Sequence, residues 1–121
     1  MSKILIIEDD PFLQGLEASK LTKDGYDILV ASSGDEAMQK INEAGINLIL
    51  LDLVLPNFDG FQVLEKIRAT DAIKALPVIV FSNLSEASDV TKAQKLGATD
   101  FMVKSNFTLD ELAERIKTII K

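Results

Sequence analysis

Short segments that are apolar at nearly every position alternate along this chain with longer ones that are apolar only at every third or fourth. Lys3 to Ile7 carries four consecutive aliphatic residues and breaks at Glu8-Asp9-Asp10-Pro11. Acidic residues followed by proline mark a helix start. The pattern predicts a helix over Pro11 to Lys23, with Leu13, Leu16 and Leu21 on one face and Gly25 as its stop. A second strand is predicted over Asp27 to Ala31. Ser33-Gly34-Asp35 opens a helix reaching about Glu43, with Ala37, Met38 and Ile41 inward and Gly45 closing it. Asn47 to Asp52 reads as a third strand, followed by the loop Leu55-Pro56-Asn57 and an Asp59-capped helix carrying Phe61, Val63, Leu64 and Ile67. Pro77 to Phe81 is a fourth strand, ahead of Ser82-Asn83 and a polar helix from about Glu86 to Leu96 closed by Gly97. Phe101 to Val103 is a fifth, and a last helix runs from Thr108 to about Ile120, with Leu109, Leu112, Ile116, Ile119 and Ile120 inward.

Five strands alternate with five helices, without linker, repeat or low-complexity segment. Strands apolar on both faces, each followed by a helix, argue for an α/β fold with a parallel sheet covered on both sides. Right-handed crossovers with one reversal of winding give a flavodoxin-like (βα)5 doubly wound sheet of order 2-1-3-4-5. Periodicity alone also accommodates a singly wound arrangement.

Composition narrows the chemistry. The 121 residues fit one domain, and the chain contains neither cysteine nor histidine. Thiolate nucleophiles, Ser-His-Asp triads, imidazole bases and histidine metal ligands are therefore all excluded. A net charge of −6 argues against direct nucleic-acid binding. Apolar runs such as Leu48 to Leu51 fall far short of the roughly 20 residues of a membrane helix. A cytoplasmic protein that does not enter the membrane is the expectation.

In such sheets ligands bind beyond the carboxyl ends of the strands, beside the reversal of winding. Those ends carry Glu8 and Asp9, Asp52, Ser82 and Lys104, whereas the second strand ends at Ser32, outside the crevice. Each residue has a bland alternative: the acids at 8–10 as helix caps, Asp52 and Ser82 as turn residues, Lys104 as a solvated charge. Gathered together, the carboxylates would repel one another unless a hard divalent cation compensated them, and carboxylate, carbonyl and water ligands suit Mg²⁺. Asp52 could then stay ionised and act as a nucleophile towards phosphorus. Mg²⁺, Lys104 and the Ser82 hydroxyl would share the charge of the acquired phosphoryl group.

At these residues the chain resembles the receiver domain of two-component response regulators along nearly its whole length. The resemblance rests on Ile4-Leu5-Ile6-Ile7-Glu8-Asp9-Asp10-Pro11, Leu51-Asp52-Leu53-Val54-Leu55-Pro56 with Asp59-Gly60, Val80-Phe81-Ser82, and Gly97-Ala98 with Asp100-Phe101 before Lys104. The spacings are 43 residues from Asp9 to Asp52, 30 on to Ser82 and 22 more to Lys104. The resemblance implies one receiver domain over residues 1–121, without an output domain. It implies that Asp52 takes a phosphoryl group from the phosphohistidine of a sensor kinase or phosphotransfer protein. Glu8 (through water), Asp9, Asp52 and the backbone carbonyl of Val54 would hold Mg²⁺, and Lys104 would contact the phosphoryl group. Ser82 would turn inward to it and Phe101 would follow from exposed to buried, altering the surface offered to a downstream protein. Kinase docking is expected near Gln14, Gly15 and Ala18 and at Ser105-Asn106-Phe107. The implied state is a monomer, with dimerisation on phosphorylation common in the family. The domain would promote its own phosphorylation and dephosphorylation without turning over a separate substrate.

Three positions depart from the family pattern. Ser105 stands where proline usually follows the lysine, so a trans Lys104–Ser105 bond and a reshaped loop are expected, a non-proline cis bond costing about 2.5–4 kcal/mol. Asn83 replaces a small residue beside the switch hydroxyl and is expected to alter the phosphoryl lifetime. Phe101 lacks the hydroxyl of the tyrosine often found there. The rival within the same fold is an interaction domain that works without phosphorylation. A flavin-binding module would need a hydroxyl- and glycine-rich first loop, where this chain has Glu8-Asp9-Asp10-Pro11. An aspartate-nucleophile phosphatase would want a second acid at position 54, which is Val54.

Overall fold

The computed structural model describes residues 2–43, 45–56 and 58–120, so the loop residue Asn57 lies outside it. Its strands are β1 (Lys3–Ile7), β2 (Asp27–Ala31), β3 (Ile46–Leu51), β4 (Val78–Ser82) and β5 (Asp100–Val103). The helices are α1 (Pro11–Lys23), α2 (Gly34–Lys40), α3 (Gly60–Ala69), α4 (Ala87–Lys95) and α5 (Leu109–Ile119). All pairings are parallel, in the order β2-β1-β3-β4-β5, which settles the doubly wound arrangement over the singly wound one.

The period of two along each strand divides the core. Leu5, Ile7, Ile49, Leu51, Val78 and Val80 face α2, α3 and α4, meeting Ala37, Val63, Ile67 and Ala93. Ile4, Ile6, Leu48, Leu50, Ile79, Phe81 and Met102 face α1 and α5, meeting Leu21, Leu112 and Ile116. Both faces are dry, which is why β1, β3 and β4 read as continuous apolar runs. Each fully buried aliphatic side chain contributes about 1.5–3 kcal/mol relative to exposure.

Caps set the helix starts. The Asp10 carboxylate accepts from the backbone N–H groups of Phe12 and Leu13, and Pro11 occupies the first helical position. Asp59 and Thr108 each form reciprocal capping boxes, with Gln62 and Glu111 respectively. At the far end of α3, the Arg68 guanidinium donates to the Gly97 carbonyl through Nε at 2.9 Å and Nη2 at 2.7 Å. Its Nη1 reaches the carbonyls of Lys74 and Leu76 at 3.0 and 2.7 Å. One side chain thus fastens the α3–β4 connection to the turn between α4 and β5, where Gly97 holds φ at +98°.

Two expectations need correction. The second helix ends at Lys40 rather than near Glu43, and residues 41–43 continue as turns. Leu16 does not face the core: it is exposed, and the buried residues of α1 are instead Glu17 and Leu21. Positions four apart lie on one helical face, and Leu16 sits about 100° away from that row. The remaining boundaries shift by a residue or so.

Candidate functional site

Strand register brings the polar residues together. Ile7 pairs with Leu51, so Glu8 and Asp52 leave the sheet side by side, and the Asp52 N–H donates to the Ile7 carbonyl at 3.0 Å. On the other flank Ser82 pairs with Val103, which brings Lys104 off β5 at the same edge. Continuing the alternation past the strand ends sends Glu8, Asp52 and Lys104 towards the α1/α5 side and Ser82 to the opposite one.

Asp52 is buried and its carboxylate is fully engaged. Oδ1 accepts from the Ser82 hydroxyl at 2.8 Å and from the Val54 N–H at 3.0 Å, while Oδ2 accepts from Lys104 Nζ at 2.6 Å. The same ammonium reaches Glu8 Oε1, also at 2.6 Å. Lys104 therefore bridges two carboxylates. Burial works against its charge, but the hydrogen bonds it donates to Asp52 and Glu8 outweigh that and raise its pKa above the usual lysine value. Burial raises the Glu8 pKa, as does the nearby Asp52 charge, against the opposing pull of Lys104 and the Asp10 N–H.

Asp9 is exposed at the mouth, and carboxylate oxygens of Glu8, Asp9 and Asp52 lie within 4.8 Å of one another. With Val54, Asn83 and Lys104 they line an open cleft of about 340 Å³. Asn83 is exposed on its rim, and Phe101 is half-buried against the core on the α3/α4 side. Among the described residues no peptide bond is cis, so the Lys104–Ser105 bond is trans, as expected, and the chain continues in a 3-10 turn over Lys104–Asn106. Glu8, Asp52, Ser82 and Lys104 thus meet directly, Asp9 joins through the carboxylate cluster, Val54 contributes its backbone, and Phe101 stands apart.

Two residues carry roles that the apolar pattern concealed. The Gln14 amide donates to the backbone carbonyl of Glu8 at 2.9 Å, to that of Ala31 at 3.3 Å and to Ser32 Oγ at 3.1 Å. It locks the segment bearing Glu8 to α1, a function legible only once β1 and β2 are paired. Glu17 lies buried in the α1 stripe, where its spacing from Leu13 and Leu21 was the available signal.

A profile of the response regulator receiver domain matches residues 4–117. The transcriptional regulatory protein CpxR homolog of Haemophilus influenzae is 36% identical over 121 residues, spanning 100% of this chain and 51% of that protein. The alkaline phosphatase synthesis transcriptional regulatory protein PhoP of Bacillus subtilis is 33% identical over 98% of this chain and 48% of its own length. The chain thus spans about half the length of these curated relatives. Among solved structures, the BeF3-activated N-terminal receiver domain of Klebsiella pneumoniae RstA superimposes with a TM-score of 0.91 at 28% identity, covering 99% of each chain. No helix among the described residues is long and apolar enough to cross a membrane. With a matching profile, a shared fold and relatives above 30% identity, the chain belongs to the response regulator receiver domains, the signalling switch of two-component systems.

Proposed function

We propose that Asp52 accepts a phosphoryl group from a phosphohistidine on a sensor kinase or histidine phosphotransfer protein. The observation that carries this reading is the convergence on one buried carboxylate of a hydroxyl, an ammonium and a backbone N–H, at 2.8, 2.6 and 3.0 Å. An Asp52 oxygen attacks phosphorus, the bond from phosphorus to the histidine nitrogen breaks, and the imidazole leaves with its electron pair. Lys104 exchanges its carboxylate partner for a phosphoryl oxygen, and Ser82 donates to another. Charge developing on the transferred group thereby meets donors already in place.

The acidic cluster fits Mg²⁺, a hard cation that takes oxygen ligands. Glu8, Asp9 and Asp52, with the Val54 carbonyl, are the residues that would hold it, and bound there it supplies positive charge to the phosphoryl oxygens. Lys104 already neutralises part of this cluster, which keeps two buried acids tolerable before any cation binds.

The donor protein docks over α1 and the turn after β5, on Gln14, Gly15, Ala18 and Ser105-Asn106-Phe107. The exposed side chains of Phe12 and Leu16 on α1, and of Val54 in the cleft, add apolar area to this face. Rearrangement of Ser82 and Phe101 then changes the surface seen by a downstream protein, in a population shift limited by the difference in their contacts between the two states.

Labelling with a small acyl phosphate tests the assignment. Wild-type protein incorporates phosphate in Mg²⁺ and none when the Mg²⁺ is chelated beforehand, and Asp52→Asn incorporates none. Equal labelling of Asp52→Asn would remove the acceptor role from this residue. Asn83 stands at the mouth where attacking water approaches, so Asn83→Ala changes the decay rate of the labelled form. An unchanged half-life would show that Asn83 has no part in it.

A further inference from the structure

Glu17 is 1% exposed, and its Oε1 is the one buried side-chain polar atom, among the described residues, without a hydrogen-bond partner. An acid with an unsatisfied oxygen in an apolar layer is costly, and the cost is least when the group is neutral. Its surroundings point the same way. One turn on along its own helix, Leu21 is buried in the same apolar layer as Leu112, Ala113 and Ile116 of α5. The charged groups that act on it are Glu8 at the end of β1, Lys104 beyond β5, Asp52 at the end of β3 and Asp10 at the start of α1. Three of those four are acids. Elsewhere on α1 and α5, Lys20 pairs with Asp110 at 2.8 Å and Arg115 with Asp100. Burial, reinforced by the Glu8 charge, pushes the Glu17 carboxyl up to about 8.

We propose that Glu17 is a pH-operated latch beneath the acidic cleft. With its proton on, α1 lies closed on the sheet and Gln14 holds the Glu8 backbone; with the proton off, α1 parts from the sheet and that hold is released. The tie is direct, because Glu17 and Gln14 lie within one turn of each other on α1, and the Gln14 amide spans from α1 to the ends of β1 and β2. Ionised, Glu17 either remains among aliphatic side chains without a partner or reaches water by moving its helix. The second course gives up the Lys20–Asp110 pair, the Gln14 hydrogen bonds and the burial of Leu21, a cost set against that of an unpaired charge among aliphatic side chains. The consequence for phosphoryl transfer rests on the functional reading above, but the latch itself does not.

The sign follows from the direction of the shift. A carboxyl whose folded-state value lies above the usual 4.5 binds its proton more tightly in the closed form. Closure is therefore strongest at low pH and is lost progressively as pH rises through about 8. Glu8 titrates with the same sign, so the comparison must keep Glu8 and change only Glu17.

Backbone amide exchange of α1, corrected for intrinsic pH dependence, is measured from pH 6 to pH 9 for wild type, Glu17→Gln and Glu17→Leu. In wild type the protection of α1 relative to the β3 core falls at least tenfold over this range, a pH unit being worth up to tenfold for one proton. In both variants the part of the fall due to Glu17 is lost and only any contribution of Glu8 remains, and Glu17→Leu, which suits the apolar layer, secures a folded comparison. Parallel pH profiles in all three proteins would overturn the latch, as would a Glu17 carboxyl resonance in wild type that titrates near the ordinary glutamate value. Neither measurement uses phosphate, so failure here leaves the Asp52 assignment standing, and failure of Asp52 labelling leaves the latch standing.

Discussion

Replacing Lys104 by methionine removes about 3 kcal/mol of folding stability in divalent-free buffer, the lower range for breaking a buried ion pair from one side. Millimolar Mg²⁺ then restores more stability to this variant than it adds to the unaltered protein. The Lys104 ammonium stands 2.6 Å from both Glu8 and Asp52 and offsets their mutual repulsion. Methionine keeps most of the aliphatic stem but leaves two buried carboxylates facing each other. A cation that binds the folded state alone stabilises it by mass action, and more so when no ammonium competes for the same oxygens. Urea titrations with and without Mg²⁺ measure both effects. Coincident unfolding midpoints for the two proteins without metal would show that Lys104 does not hold the cluster together.

A comparable loss comes from a residue with no chemistry of its own. Gly60 begins α3, and its N–H donates to the Leu53 carbonyl at 3.0 Å. A Cβ at this position would stand 2.5 Å from both the Asp52 carbonyl oxygen and Leu53 Cα, atoms of the backbone that cannot swing aside. Gly60→Ala must therefore push the start of α3 away from the acceptor loop. Overpacking of this kind costs about 1–3 kcal/mol, and backbone against backbone places it at the upper end, lowering Tm by about 10 °C. Because the clash bears on the backbone of Asp52 itself, labelling by acyl phosphate slows on the order of a hundredfold with every donor residue retained. A variant that melts and labels like wild type would show that this approach has slack.

How much of this was legible in the chain depends on which physical signal each residue carries. β1, β3 and β4 announce themselves because a strand buried on both faces has no polar positions to spare, and Asp52 stands out for ending such a run. Register could not be read from the pattern, yet it is the pairing of Ile7 with Leu51 that sets Glu8 beside Asp52. The role of Lys104 was foreseen only towards phosphate; its bridge to Glu8 depends on β5 closing the far edge. In α1 hydrophobicity is a misleading guide to the buried face. The helix turns Leu16 outward and Glu17 inward, against their solvation preferences. Conflicts between local preference and position concentrate where a protein has a use for them, and this one lies within the electrostatic reach of Glu8, Lys104 and Asp52.

The Arg68 clasp has a mechanical corollary. In α4 only Ala93 is buried, and Lys92 Nζ rests over the Phe61 ring at 4.3 Å. The next turn ends at Gly97, whose carbonyl the clasp grips. Every one of these attachments lies in the carboxyl-terminal half of the helix or just beyond its end. Its opposite end begins at Glu86, which makes no side-chain cap, four residues beyond Ser82. A rod pinned near one tip has its longest travel at the other, and here the free tip is the one nearest Asp52.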